Sequence, residues 1–320
     1  MHNQYICAVV FLCLACLVLP FAALPGDSGL VSPSIKAPGE ADAEKGFTVY
    51  LEQEARTVTL TADAYLLGVL CAELSPDTPI EAIKAQAVAS YTYARYRQAH
   101  TKETYDLSDQ PDSGQGYLQE DAARKKLGDA YAAAVEVFRT AIAAVEGEQL
   151  TYEGKPILAA YHAVSAGKTE SGANAFGGDT PYLTAVESVG DLLSPDYFST
   201  KSVEPAELFE KLQAHGVEPT DEAAYDTLIG EISRSESGTV LEITIGGKTI
   251  SGKEVRTLFE LRSANFDLAY DGSTFVFTTR GYGHGAGMSQ YGAAYMASLG
   301  SDYAEILAWY YPGCLLSRES

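Results

Sequence analysis

Cysteines are scarce in this 320-residue chain, and the shortage excludes one class of protein. Three of the five lie between residues 7 and 16, inside an apolar stretch, which leaves Cys71 and Cys314 for the rest of the chain. Two cysteines cannot build a disulfide scaffold. We expect two separate small core residues, unless the fold brings them together to pair. A lone histidine such as His162, with no cysteine between these positions, is a weak metal signal, so we predict no metal and no cofactor.

Basic residues are also few. Lysine and arginine number 22 against 43 acidic residues, and the formal net charge is −21. A nucleic-acid-binding protein needs a basic stripe that neutralises phosphates, so nucleic acid is excluded as a partner. Anionic polymers would be repelled as well, so a neutral sugar polymer fits this surface better. Charge alone does not separate that interpretation from acidity that only keeps the protein soluble.

One long apolar run stands at the start of the chain. Residues 6–24 are almost wholly apolar and uncharged, and a run of about 20 residues is enough to cross a bilayer. Residues 19–25 offer no A-x-A cleavage site, which favours an uncleaved anchor over a signal peptide. Residues 1–5 contain no lysine or arginine, so the positive-inside rule gives little help with orientation. We predict a membrane anchor or signal segment over residues 1–25 and a flexible linker over 26–46.

Hydrophobic periodicity predicts an α+β domain over residues 47–316. Strands are expected over residues 47–51, 57–61, 149–152, 156–163, 240–245 and 274–279, with a hairpin turn at 153–154. Helices are expected over residues 121–144, 205–215, 251–261, 290–299 and 303–311. Strands and helices alternate without a regular βαβ rhythm, which favours mixed or antiparallel sheets with packed helices. Residues 190–252 are interpreted as an inserted lobe.

Residues 65–97, YLLGVLCAELSPDTPIEAIKAQAVASYTYARYR, place one acidic side chain at the end of an apolar helical run. Val69 and Leu70 lie four and three positions before Glu73, so all three share one helix face. Burial against this face disfavours the carboxylate and raises its pKa, which prepares a general acid. The alternative is a solvated glutamate at a helix end.

A helical elbow is predicted just after Glu73. The first helix is expected to end near Leu74, because the residue before Pro76 is pushed out of the helical region. A second helix is expected to begin with Thr78 as N-cap, Pro79 at the first helical position and Glu81 closing a capping box.

Three blocks of the sequence occur in an order typical of one protein family. Residues 83–89 read IKAQAVA, residues 161–162 and 165–170 read YH and SAGKTE, and residues 281–293 read GYGHGAGMSQYGA. These blocks, with PYL at residues 181–183, resemble the stage II sporulation protein D (SpoIID) family of peptidoglycan lytic transglycosylases. The family's signatures run roughly ALKAQAVAARTYA and GyGHGvGMSQyGA. The resemblance covers most of residues 47–316.

The resemblance implies a two-lobed enzyme around a glycan-binding groove, anchored in the cell membrane with its catalytic domain outside. It implies action on denuded peptidoglycan strands during endospore engulfment, together with other sporulation cell-wall proteins. Ordinary glycosidases need two carboxylates. In a lytic transglycosylase the 6-hydroxyl of MurNAc attacks the anomeric carbon, so one residue serves first as acid and then as base. We predict that Glu73 is this catalytic residue.

Five further residues are predicted to bind substrate. Lys84 and Tyr91 lie seven apart on the second helix, hence on one face beside Glu73. The resemblance implicates Lys84 and an arginine where this chain has Tyr91, a departure that puts activity or substrate preference in doubt, although tyrosine can stack on a sugar. Lys84 is alternatively a solvated helical lysine.

His284, Ser289 and Gln290 lie within or just after a run of alternating glycines, which allow the backbone to approach a ligand closely. His284 is alternatively a structural histidine, and the glycine-rich segment is alternatively a flexible loop.

Two rival functions stay open. The chain is alternatively a non-catalytic peptidoglycan-binding modifier that stimulates another cell-wall hydrolase. It is alternatively a hydrolytic glucosaminidase or muramidase, which would leave reducing ends rather than 1,6-anhydro ends.

Overall fold

The computed structural model describes residues 46–110 and 114–318. The predicted membrane segment, and the predicted linker up to residue 45, lie outside these residues. Within them, no helix is long and apolar enough to cross a bilayer. The described part combines helices with several small sheets, which are antiparallel, parallel or mixed, and this confirms the predicted α+β class.

The first half of the domain is a group of helices packed on a three-stranded sheet. Its elements are β1 (Phe47–Leu51), β2 (Arg56–Leu60), α1 (Ala62–Glu73), α2 (Ile80–His100), β3 (Leu107–Ser108), α3 (Glu120–Leu127) and α4 (Tyr131–Ala144). β1 lies between β2, its antiparallel neighbour, and β3, which runs parallel to it. Tyr65, Val88 and Phe138 are fully buried between the helices. These residues belong to the larger of two hydrophobic cores, which we call the main core.

Two later parts of the chain, one in its middle and one near its C-terminus, return to the main core. The elements concerned are β4 (Glu148–Tyr152), β5 (Lys155–Pro156), β6 (Tyr161–His162), α5 (Gly172–Phe176) and, near the C-terminus, β13 (Met288–Ser289), α8 (Gln290–Ser298), α9 (Tyr303–Tyr310) and β14 (Leu315–Arg318). β13 pairs in parallel with β6, and β14 pairs antiparallel with β4. Phe47 and Tyr311, from opposite ends of the domain, are therefore buried in one core.

A second core lies between these segments in sequence. It is built from β7 (Phe198–Val203), α6 (Pro205–Leu212), β8 (Ile229–Arg234), β9 (Val240–Ile245), β10 (Lys248–Ser251), α7 (Gly252–Leu258), β11 (Phe266–Tyr270) and β12 (Phe275–Arg280). Two antiparallel sheets, in the orders β10-β9-β8 and β11-β12-β7, enclose buried residues such as Phe259, Phe266 and Phe277. The buried set runs from Val203 to Phe277, so it extends past the segment 190–252; the domain boundaries stay a prediction.

Most local predictions are confirmed, and three are corrected. The strand predicted over residues 156–163 is wrong: β5 ends at Pro156, residues 157–160 lie in no strand, and β6 pairs with β13 rather than with β4.

The capping box at the start of α2 is wrong: the N-cap is Pro79, and no side chain caps the helix. The Glu81 carboxylate instead accepts hydrogen bonds from Lys84 Nζ (2.7 Å) and from the backbone N–H of Tyr303 (3.0 Å). The alanine-rich stretch 121–144 is two helices rather than one, because Gly128 has a φ of 54° and interrupts the helical path.

Two other predictions hold. The hairpin between β4 and β5 turns at Glu153 and Gly154, whose φ angles of 51° and 76° match a two-residue hairpin turn. Cys71 and Cys314 are both free thiols that contribute to the main core.

Candidate active site

Glu73 is the last residue of α1, at the point where the helix leaves the main core. The preceding residues from Tyr65 to Cys71 are all buried, and the helix ends when the N–H of Leu74 bonds to the carbonyl of Leu70 (2.9 Å). The acid therefore follows an apolar helix that is fixed by the core on one side. Its own side chain is only partly buried, because it stands at the edge of that core.

Two donors hold the Glu73 carboxyl. Oε1 accepts from the backbone N–H of Gly116 (3.1 Å), and Oε2 accepts from the side-chain amide of Gln290 (3.1 Å). Burial raises the pKa of Glu73 above its ordinary value, and these two hydrogen bonds offset only part of the rise. The group is therefore a better proton donor at neutral pH than an exposed glutamate.

Neutral polar side chains lie behind the contact between Gln290 and Glu73. The amide of Gln290 also approaches Gln86 Oε1 (3.4 Å), and Gln86 donates to Ser90 Oγ (3.1 Å). The hydroxyl of Tyr161 donates to Gln115 Oε1 (2.8 Å). Burial, followed by the charges of Glu73 and Tyr65, raises the pKa of Tyr161 well above its ordinary value, so the phenol stays neutral.

An open cleft of about 500 Å³ lies beside Glu73. Its walls include apolar Tyr117 and Leu118, amides on Gln53, Gln110 and Gln119, and the charged groups of Glu54, Asp109 and Lys126. A cleft that combines amides and charged groups with an aromatic ring suits a sugar, which has both hydroxyl groups and apolar ring faces. The catalytic candidate predicted from the sequence thus lies at a cavity rather than on an open surface.

Gln290 and Ser289 occupy different environments although they are adjacent in sequence. Gln290 begins α8 and faces Glu73. Ser289 is fully buried and caps the same helix: its Oγ accepts from the N–H of Gly292 (3.2 Å) and donates to Asp191 Oδ1 (2.7 Å). Asp191 also accepts from both the N–H and the Oγ of Ser165. Ser289 therefore fixes the start of the helix that presents Gln290, and its predicted substrate contact stays a prediction.

The glycine-rich segment before α8 packs tightly against β6. Gly287 has a φ of 71°, and a Cβ built there would lie 1.9 Å from the carbonyl oxygen of Ala160, so only glycine fits. His162 Nδ1 donates to the carbonyl of Ala286 (3.1 Å), and its buried Nε2 has no hydrogen-bond partner among the residues that the structure describes. Burial lowers the pKa of His162 to about 4, so the ring is neutral at pH 7.

His284 stands in the same segment but in a different pocket from Glu73. Its Nδ1 accepts from the N–H of Ala286 (3.1 Å), and its ring lies 4.9 Å from that of Phe176 and 5.7 Å from that of His162. Burial first, then His162, lowers the pKa of His284 to about 3. It lines a small pocket of about 20 Å³ together with Glu170. Its role in binding substrate stays a prediction.

Lys84 and Tyr91 also lie away from the Glu73 cleft. Lys84 pairs with Glu81, and its ammonium lies 5.7 Å from the ring centroid of Tyr303. Tyr91 is 6% exposed, and its ring meets that of Phe47 edge-on at 5.9 Å. It lines a separate cavity of about 280 Å³. The structure thus does not bring these two residues to the acid, and their substrate roles stay predictions.

Four residues in or behind the site had not been singled out from the sequence, namely Gly116, Gln115, Lys126 and Asp191. Gly116 acts through its backbone, which leaves no signal in a single sequence. Gln86 lies in the IKAQAVA motif, and this motif is the sequence signal for its place behind Gln290. Among the described residues, no group of three histidine, cysteine, aspartate or glutamate side chains is placed to hold a metal ion.

Comparison with known proteins decides the family. The sequence profile described as "SpoIID: Stage II sporulation protein" matches residues 50–152, which contain Glu73 and Gly116. "Stage II sporulation protein D" from Bacillus amyloliquefaciens is 33% identical over 329 residues, covering 98% of this chain and 94% of the relative. The chain belongs to the stage II sporulation protein D family.

Two further relatives carry different names. The stage II sporulation protein D of Bacillus subtilis is 31% identical over 327 residues and is covered to 94% of its length. A Bacillus subtilis protein named "Amidase enhancer" is 26% identical over 305 residues, which span 79% of this chain but 40% of that relative. The family to which the chain belongs is thus named for sporulation.

Proposed function

We propose that this protein is a lytic transglycosylase that cleaves denuded peptidoglycan strands between MurNAc and GlcNAc. The observation that carries the proposal is the Glu73 carboxyl, which combines a raised pKa with a position on the wall of a 500 Å³ cleft. A carboxyl of this kind supplies a proton where a sugar chain can reach it.

The reaction uses the one carboxyl twice. Protonated Glu73 gives its proton to the glycosidic oxygen while the bond from that oxygen to C1 of MurNAc breaks. The resulting carboxylate takes the proton of the MurNAc 6-hydroxyl, whose oxygen forms the new bond to C1. The products are a GlcNAc end with a free hydroxyl and a 1,6-anhydroMurNAc end; no water is consumed, and Glu73 is protonated again.

Gln290 and Gly116 serve both halves of this cycle. Their N–H groups stabilise the carboxylate that exists between the two proton transfers, and they keep each oxygen in a fixed direction. Because the pKa stays above its ordinary value, the protonated form also remains accessible. Two donors thus support a group that alternates between acid and base.

Substrate binding and location extend the proposal. We infer that the domain is two-lobed around a glycan groove that includes the Glu73 cleft, with Lys84, Tyr91, His284, Ser289 and Gln290 contributing to binding. The apolar residues 6–24 would anchor the chain in the cell membrane with the domain outside, where peptidoglycan and other sporulation cell-wall proteins are its partners.

The decisive experiment is product analysis by mass spectrometry. Purified protein is incubated with peptide-free glycan strands, and 1,6-anhydro ends are expected in the products of the wild type and absent with Glu73→Gln. Reducing ends in their place would identify a hydrolytic glucosaminidase or muramidase instead. Intact strands after incubation with folded wild-type protein would overturn the catalytic proposal.

A second candidate function follows from the relative named "Amidase enhancer". In this alternative the protein binds peptidoglycan without cleaving it and stimulates a separate cell-wall hydrolase. The same Glu73→Gln variant separates the two: a modifier keeps its stimulating effect on an added amidase, whereas a transglycosylase loses its own products.

A further inference from the structure

The end of α1 is held by a side chain from outside the sequence blocks quoted above. An α-helix leaves the carbonyls of its last turn without partners in the helix. In α1, the carbonyls of Cys71 and Ala72 are in this position, directly before Glu73. Both accept hydrogen bonds from the ammonium of Lys126, the first at 3.1 Å. A lysine ammonium has three donors, so one remains after these two contacts.

Lys126 belongs to a segment that is firmly attached to α1. The N–H of Leu118 bonds to the carbonyl of Gly68 (3.2 Å), and a Cβ at Gly68 would lie 2.3 Å from the Tyr117 ring. The same segment supplies Gly116, which donates to Glu73. α3 follows and places Lys126 at the cleft wall. One piece of chain therefore supplies a hydrogen-bond donor to the acid and a cation at the end of its helix.

We infer that Lys126 is a positioning residue of the candidate active site: its ammonium fixes the end of α1 and favours the charged form of the Glu73 carboxyl. This inference rests on the proposed function for its catalytic meaning, although the contact itself does not. Among the described residues that line the cleft, Lys126 carries the one positive charge, whereas Glu54 and Asp109 are acidic.

The groups around Glu73 determine whether the loss of Lys126 raises or lowers the pKa of the Glu73 carboxyl. Burial raises the pKa of Glu73, and the hydrogen bonds from Gln290 and Gly116, the charge of Lys126 and the Tyr161 hydroxyl oppose that rise. Tyr65 and Tyr161 also face the carboxyl but stay neutral because burial raises the pKa of both phenols. Glu54 and Asp109 add negative charge. Without Lys126, burial is opposed by fewer groups, and the Glu73 carboxyl holds its proton to higher pH.

The test is the titration of Glu73 itself in the full-length chain. Infrared difference spectra between each protein and the same protein carrying Glu73→Gln isolate this carboxyl. Lys126→Met and Lys126→Gln remove the charge, Lys126→Arg keeps it, and Lys125→Met is the matched control because it changes the charge equally at the neighbouring exposed residue. We expect the titration to move to higher pH in Lys126→Met and Lys126→Gln and to stay in place in Lys126→Arg and the control.

Activity gives a second reading on the same variants. The high-pH limb of glycan cleavage should move with the carboxyl titration, and kcat should fall about tenfold in Lys126→Met while KM changes less than about twofold. An unchanged Glu73 titration in both uncharged variants, or an equal shift in Lys125→Met, overturns the inference. Absence of cleavage in the wild type overturns the proposed function instead, and the titration still decides the role of Lys126.

Discussion

Glu73 and Glu170 are two glutamates that the fold withdraws from water with opposite results. Glu73 lies at a cleft and keeps a raised pKa with two hydrogen-bond donors. Glu170 is 3% exposed, yet hydrogen bonds outweigh the effect of burial and lower the pKa of its carboxyl. Its donors are the N–H of Ser171 (2.8 Å), Asn174 Nδ2 (2.9 Å) and the hydroxyls of Ser235 and Ser237.

The comparison shows that burial alone does not make an acid reactive. Glu170 joins the segment between β6 and α5 to the β8–β9 loop, because Ser235 and Ser237 belong to that loop. A carboxylate saturated with donors is stable as an anion and is suited to a structural joint. Glu73 has fewer donors, and it is therefore suited to proton transfer.

The largest expected effect is the loss of glycan cleavage when Glu73 is replaced. Glu73→Gln keeps the shape of the side chain but removes the proton, so cleavage of peptide-free strands should fall by at least about 100-fold. Circular dichroism and thermal unfolding should show an intact fold. Glu210→Gln, an exposed glutamate on α6, is the control and should keep full activity. Full activity in Glu73→Gln would remove this residue from the mechanism.

The next effect concerns stability at Glu170. Glu170→Ala leaves several partly buried donors without an acceptor and should cost about 2 kcal/mol of unfolding free energy, measured by urea denaturation. Glu236→Ala is the matched control in the same loop: its side chain is 86% exposed and pairs with Lys168 at 3.4 Å, so the loss should be below about 0.5 kcal/mol. Equal losses in the two variants would contradict the structural role of Glu170.

Replacing Gln290 changes the number of hydrogen-bond donors to Glu73. Gln290→Ala removes one of the two donors, so the pKa of Glu73 should rise further and the high-pH limb of the activity profile should move upward. The rate at the optimum should fall about tenfold, because the carboxylate formed during the reaction loses a stabilising hydrogen bond. A pH profile identical to that of the wild type would show that Gln290 does not act on Glu73.

The smallest effect is the pH dependence of stability, which should have opposite signs at the two acids. Because the pKa of Glu170 is lowered in the fold, its stabilisation is present above the ordinary value of 4.5 and is lost as the pH falls through the folded value. Because the pKa of Glu73 is raised, its contribution is present below 4.5 and is lost as the pH rises through the folded value.

Thermal unfolding measures both slopes. Relative to the wild type, Glu73→Gln should become progressively more stable as the pH rises above about 4.5, whereas Glu170→Gln should lose least stability at low pH. Parallel curves for the two variants would show that the opposite shifts are absent.

The sequence alone determined the local elements and the position of the acid. Periodicity placed β1, α1, α8 and α9 close to their observed bounds, since each buries one face whose spacing is visible in the chain. The Ser251–Glu254 capping box of α7 is likewise a local pattern. The motif around Glu73 also marked the acid and the family. These features depend on residues a few positions apart.

Only the tertiary structure decided what surrounds the acid. Gln290 contacts Glu73 across 217 positions in sequence. Gly116 donates a backbone N–H, a group that nearly every residue type has and that a sequence therefore does not mark. Helical spacing suggested that Tyr91 faces the site, but packing against Phe47 turns it into the main core. A pKa depends on the donors and charges within a few ångströms, and folding brings these together from distant parts of the chain.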